Sequence, residues 1–140
     1  MGAAKQYNPS GGFYEYEYHQ VGETIHYDGL QGKVIVKNNL QTGLPPHSGK
    51  SDFYANIDAE TGKIIQLRLN RSRASHIDFD WGHEHKNLDG SNLRFSEGIV
   101  HVHTYEKGKR NRIARYMNND EIKRFGALLK SLNPDVKFRP

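Results

Sequence analysis

Apolar and polar side chains alternate at a spacing of two in short runs between residues 13 and 117, and only once does the spacing lengthen to that of a helix. Successive side chains of a strand point to opposite faces, so this period builds a sheet with one apolar and one polar side. Residues 13–18 put Tyr14, Tyr16 and Tyr18 on one face and Glu15 and Glu17 on the other. Residues 24–27 and 33–37 are further short strand candidates, and residues 38–50, with Pro45 and Pro46, read as a loop. Residues 52–58 and 63–69 make a hairpin around Ala59-Glu60-Thr61-Gly62, where Gly62 can take the positive φ of a tight turn. After a polar turn at 70–74, residues 76–80 form a strand with Ile77 and Phe79 on one side and His76, Asp78 and Asp80 on the other. A long polar connection over 82–98 leads to a strand at 99–106. It carries His101, His103 and Tyr105 on one face and Val100 and Val102 on the other. Residues 112–117 alternate weakly.

The helical spacing comes last. Ile122, Phe125, Leu129 and Leu132 form one stripe, Asn118 and Glu121 have the three-residue spacing of a capping box, and Pro134 stops the run. The fold expected is therefore α+β: a mostly antiparallel, twisted sheet with one C-terminal α-helix packed on a face. The 140 residues suit one domain, read as 13–140 behind a flexible Gly/Ser/Asn/Pro-rich lead at 1–12. Hydrophobic residues are only 35% of the chain, so Tyr and Phe must supply much of a small core. The aromatic stripe at Tyr14, Tyr16 and Tyr18 reads first as core, with base stacking as its other use.

Absence of cysteine excludes disulfides, thiolate metal sites and a cysteine nucleophile. No apolar run reaches the roughly 18 residues of a membrane span, and the N-terminus lacks the apolar stretch of a secretory leader. A soluble protein without membrane partners is expected, cytoplasmic or delivered into a target cell. The net charge of +4 is unevenly placed: residues 107–140 hold ten basic and three acidic side chains, net +7, which leaves −3 for the rest. Segregated positive charge is either a solvated face or the footprint of a polyanion partner. Lys107, Lys109, Arg110 and Arg112, with Arg68 on the hairpin, are the candidates to contact phosphate.

Five of the eight histidines fall between positions 76 and 103, as His76-x-Asp78-x-Asp80, His83-x-His85 and His101-x-His103. Residues two apart on a strand point the same way, so each pair converges. If the strands are neighbours, His101 and His103 face the side of Asp78 and Asp80 while Val100 and Val102 are buried. Two chemistries use such a cluster. Imidazoles can divide the roles of proton acceptor and donor, as in metal-independent ribonucleases, with Lys or Arg stabilising the phosphorane. Neutral imidazole with carboxylate also suits a divalent metal. The plainer alternative is a solvated polar face.

The run Gly62-Lys63-Ile64-Ile65-Gln66-Leu67-Arg68, then Ile77-Asp78-Phe79-Asp80, then His83-Glu84-His85, resembles a pattern at the C-terminal ends of bacterial polymorphic toxins and of some phage and mobile-element proteins. Pro45-Pro46-His47-Ser48 fits such tails as well, and the likeness covers residues 44–105. It implies a compact α+β effector module of the toxin type with suspected nuclease activity. The expectation is a nucleic-acid-directed effector, ribonuclease-like, with His83, His85, His101 and His103 in proton transfer and Asp78 and Asp80 orienting them. No cofactor is required in that reading; a divalent metal at the His/Asp cluster is the alternative. RNA is the favoured partner, with a cognate inhibitor or host protein as further ones. The competing function is a non-catalytic nucleic-acid- or protein-binding module of a phage or mobile element.

Overall fold

The computed structural model describes residues 3–8, 12–37, 51–72, 75–91, 93–106 and 109–140. The loop expected over 38–50, the side chains of Tyr14, Tyr16 and Tyr18, and Lys107 lie outside what is described. The architecture is α+β, an open sheet and one C-terminal helix. Among the described residues twelve strands precede the helix in chain order: β1 (Ala3–Asn8), β2 (Gly12–Gln20), β3 (Ile25–Tyr27), β4 (Leu30–Lys37), β5 (Phe53–Ile57), β6 (Ile64–Ser72), β7 (Ser75–Asp80), β8 (His85–Lys86), β9 (Arg94–Phe95), β10 (His101–Glu106), β11 (Lys109–Arg110) and β12 (Arg115–Tyr116). Helix α1 is Asn119–Leu132.

The main sheet runs β1-β2-β4-β5-β6-β7-β10-β11, with β3 on β4 and β12 on β10; β8 and β9 form a separate two-stranded hairpin. All pairs are antiparallel except β4 with β5. The stretch read as a flexible lead contains β1, which pairs with β2 from Ala3↔Glu17 to Asn8↔Gly12. An edge strand needs only ladder hydrogen bonds on one side, so a segment without core-filling residues can still be a strand. The polar stretch at 70–74 also differs from its expected form: β6 continues to Ser72, with a register irregularity after Asn70, and pairs Ser72↔Ser75.

One face of the sheet is apolar and carries the helix. Phe53, Leu67, Ile77, Phe79, Val100 and Val102 are buried there with Trp81, Met117, Phe125, Leu128, Leu129 and Val136. The rings of Phe79 and Phe125 lie 5.8 Å apart. Gly32 permits this packing on β4, since a Cβ there would meet the Phe53 ring at 2.2 Å. The helix starts as its sequence dictates: Glu121 N–H donates to Asn118 Oδ1 (2.8 Å) and Asn118 N–H to Glu121 Oε1 (2.9 Å). Arg115 donates to both Glu121 carboxylate oxygens at 2.7 and 3.0 Å, tying β12 to the first turn. After the helix the chain returns to the sheet, where Val100 N–H donates to Lys137 C=O (2.8 Å). In the hairpin between β5 and β6, Gly62 has φ +72° and donates its N–H to Asp58 C=O. Among the described residues no helix is long and apolar enough to cross a membrane.

Candidate functional site

The other face of the same strands is polar and nevertheless buried. Antiparallel pairing of β7 with β10 sets His101 opposite Asp80 and His103 opposite Asp78, so all four side chains share one side. Pairing of β6 with β7 adds Gln66 opposite Asp80 and Arg68 opposite Asp78. His101 and His103 are fully buried, and so are Val100 and Val102 on the apolar side. The period of two therefore holds for both faces, but the histidine face is not a solvated one. It is covered by the β8–β9 hairpin, in which His85 and Phe95 stand opposite each other. Their rings lie 5.2 and 5.5 Å from that of His101. The sequence showed no strand in this hairpin, because two-residue strands are too short to display a period.

Four imidazoles meet here. The ring centroids of His85 and His103 are 4.7 Å apart, those of His101 and His103 5.3 Å, and that of His83 is 5.3 Å from His101. Among the described residues two groups bring possible ligand atoms within 4.8 Å of one another: His85, His101 and His103, and Asp80, His83 and His101. The cluster could hold a metal ion on either set.

The hydrogen bonds decide which nitrogens are available. His103 Nδ1 lies 2.9 Å from the Asn111 carbonyl oxygen, which can only accept; Nδ1 therefore carries the proton and Nε2 keeps its lone pair. His85 Nε2 lies 3.1 Å from Asn87 Oδ1. That oxygen is fixed as an acceptor, because Ala114 N–H donates to it (2.8 Å) while Asn87 Nδ2 donates to Ala114 C=O (2.8 Å). His85 thus donates from Nε2 and keeps a lone pair on Nδ1. His103 Nε2 and both ring nitrogens of His101 are buried without a hydrogen-bond partner. Burial first, then the neighbouring imidazoles and Arg110, lowers the His101 pKa to about 3. Burial lowers that of His103 to about 4, although the bond to Asn111 opposes it. Both are neutral imidazoles at neutral pH.

Two expected assignments are corrected by the register. Arg68, read as a phosphate contact, is buried and bonds Asp78 through two parallel hydrogen bonds of 2.7 and 2.8 Å. Its guanidinium also lies 5.0 Å from the Tyr105 ring centroid. Asp78, read as an orienter of imidazoles, binds Arg68 and Gln66 instead. Burial opposes the Arg68 charge, and Asp78 more than offsets this, raising its pKa. Asp80 does stay with the histidines: its Oδ1 is 3.5 Å from Nδ1 of the exposed His83. Burial raises the Asp80 pKa, opposed by His83.

A cleft of about 600 Å³ opens on the cluster, with His85 and His103 in its wall beside Lys86, Arg110, Arg112 and Asp89. Arg110 and Arg112, both exposed, line this cleft beside the imidazoles. Lys109 lines a neighbouring depression with Glu106. His83 does not line the cleft, and His76 lies elsewhere on the face, stacked on Tyr105 at 4.0 Å. Asn87 went unnoticed in the sequence, although its spacing of two from His85 was visible. Asn111 contributes a backbone carbonyl and leaves no side-chain signal. No protein-family model, curated protein or solved structure matches this chain.

Proposed function

We propose that this chain is a nucleic-acid-directed effector, of the toxin type its motifs resemble, that cleaves RNA at the histidine cluster. The reading is carried by the imidazole cluster opening into a cleft in which Lys86, Arg110 and Arg112 outnumber Asp89. A cationic cleft concentrates a polyanion, and guanidinium groups match the paired oxygens of a phosphate. In the reaction the 2′-hydroxyl gives a proton to a base at the His85–His103 edge and attacks phosphorus. The bond from phosphorus to the 5′-oxygen breaks, that oxygen takes up a proton, and a 2′,3′-cyclic phosphate remains. Arg110 and Arg112 stabilise the charge on the phosphorane.

The test is cleavage of end-labelled RNA, with chelator and with added divalent metals in parallel. Products ending in cyclic phosphate are expected. His85→Ala lowers the rate by about 10²–10⁴-fold, the usual contribution of an acid–base group. Arg110→Ala with Arg112→Ala weakens RNA binding and reduces the slope of log affinity against log salt by about two. RNA left intact under every condition, but bound with a salt dependence that the Arg variants abolish, overturns cleavage in favour of a binding module.

A further inference from the structure

We infer that His85, His101 and His103 form a three-imidazole site for a divalent transition-metal ion of the zinc class, open on its fourth side to the cationic cleft. The first support is spacing. In a tetrahedral site with metal–nitrogen bonds of about 2.0–2.1 Å, each ring centroid lies about 3.2 Å from the ion and any two about 5.2 Å apart. The three rings here stand 4.7, 5.2 and 5.3 Å apart. The ligand nitrogens lie within 4.8 Å of one another, against roughly 3.4 Å in such a site.

The second support is independent of spacing. Imidazoles that bind metal donate their other ring N–H to a carbonyl or carboxylate, which fixes the tautomer and aims the lone pair. His103 does this through Nδ1 to Asn111 C=O, and His85 through Nε2 to an Asn87 side chain that Ala114 holds rigid. His101 and His103 are fully buried, with nitrogens that no donor meets, whereas buried polar atoms in folded proteins are nearly always satisfied. An ion between the three rings takes His103 Nε2 and one of the two His101 ring nitrogens. An Asp80 carboxylate oxygen lies within 4.8 Å of a His101 ring nitrogen.

Three neutral nitrogen donors select zinc, copper, nickel or iron over magnesium and calcium. Three protein ligands leave a position for water, whose acidity the ion raises to the neutral range. The inference rests on the proposed function only for its substrate, a phosphodiester. Metal binding itself can be read without RNA.

The experiment is titration of the full, untagged, metal-free chain with Co²⁺, followed by visible absorption and circular dichroism. One Co²⁺ per chain with the intense visible bands of tetrahedral nitrogen coordination is expected. His85→Ala, whose half-buried position makes it the least disruptive of the three, removes those bands, as does His103→Ala. His83→Ala retains them. Absence of any bands, or bands unchanged in His85→Ala, overturns the site. Bands lost in His83→Ala but kept in folded His85→Ala overturn it in favour of the Asp80–His83–His101 group. RNA cleavage that persists in a chain without Co²⁺ binding leaves the proposed function standing while removing the metal.

Discussion

Arg68 and Asp78 face each other across β6 and β7 in a pair from which water is nearly excluded. Each charge is tolerable only because the other is present, so removing one leaves an unpaired ion inside the protein. Arg68→Ala is expected to cost about 3–5 kcal/mol in urea unfolding at neutral pH, whereas Arg68→Met combined with Asp78→Leu recovers most of the loss. Neither partner was legible as half of a pair. Their sequence positions give the face each occupies, but partnership depends on strand register, which no local pattern encodes. The histidines were more readable, since convergence of His101 with His103 follows from a spacing of two on a single strand. Their complete burial was not readable, because it depends on Phe95 and His85, supplied by a hairpin upstream of both histidines in a segment without period.

At the scale of elements, legibility followed the length of the repeating pattern. Helix α1 begins after Asn118 and ends at Leu132, where its capping residues and Pro134 place the limits. The buried stripe shifts slightly, with Leu128 joining Phe125 and Leu129. Strands β5, β6, β7 and β10 are long enough to show their alternation, whereas β8, β9 and β11 are two residues each. The N-terminal end of α1 is a self-contained test. Asn118→Ala removes the acceptor of Glu121 N–H, while the backbone N–H at 118 and Arg115 still hold the Glu121 carboxylate. A loss of about 1 kcal/mol is expected. For a domain of this size that lowers Tm by about 2–4 °C, measurable by calorimetry.

For the molecule as a whole, the buried imidazoles set the response to acid. In the unfolded chain His101 and His103 take up protons near pH 6.5; in the folded one they do so only near about 3 and 4. Between those limits the unfolded state holds more protons, so stability falls as pH falls. The metal-free protein is expected to show a urea midpoint that is level above pH 7 and declines below about 6.5. These two groups contribute an uptake of up to about two protons on unfolding near pH 5. His103→Leu should remove about one of them. The two-faced sheet has a last consequence, for how such a protein can vary. Along β7 and β10 the side chains of core and site come from the same few residues, in strict turn. A single-residue insertion in β10 would send imidazoles toward the helix and valines toward the cleft, ruining scaffold and chemistry together. An insertion of two would preserve the parity and only displace the site along the strand. Lineages carrying this fold should therefore tolerate length changes in these strands by even steps, with odd ones confined to the turns.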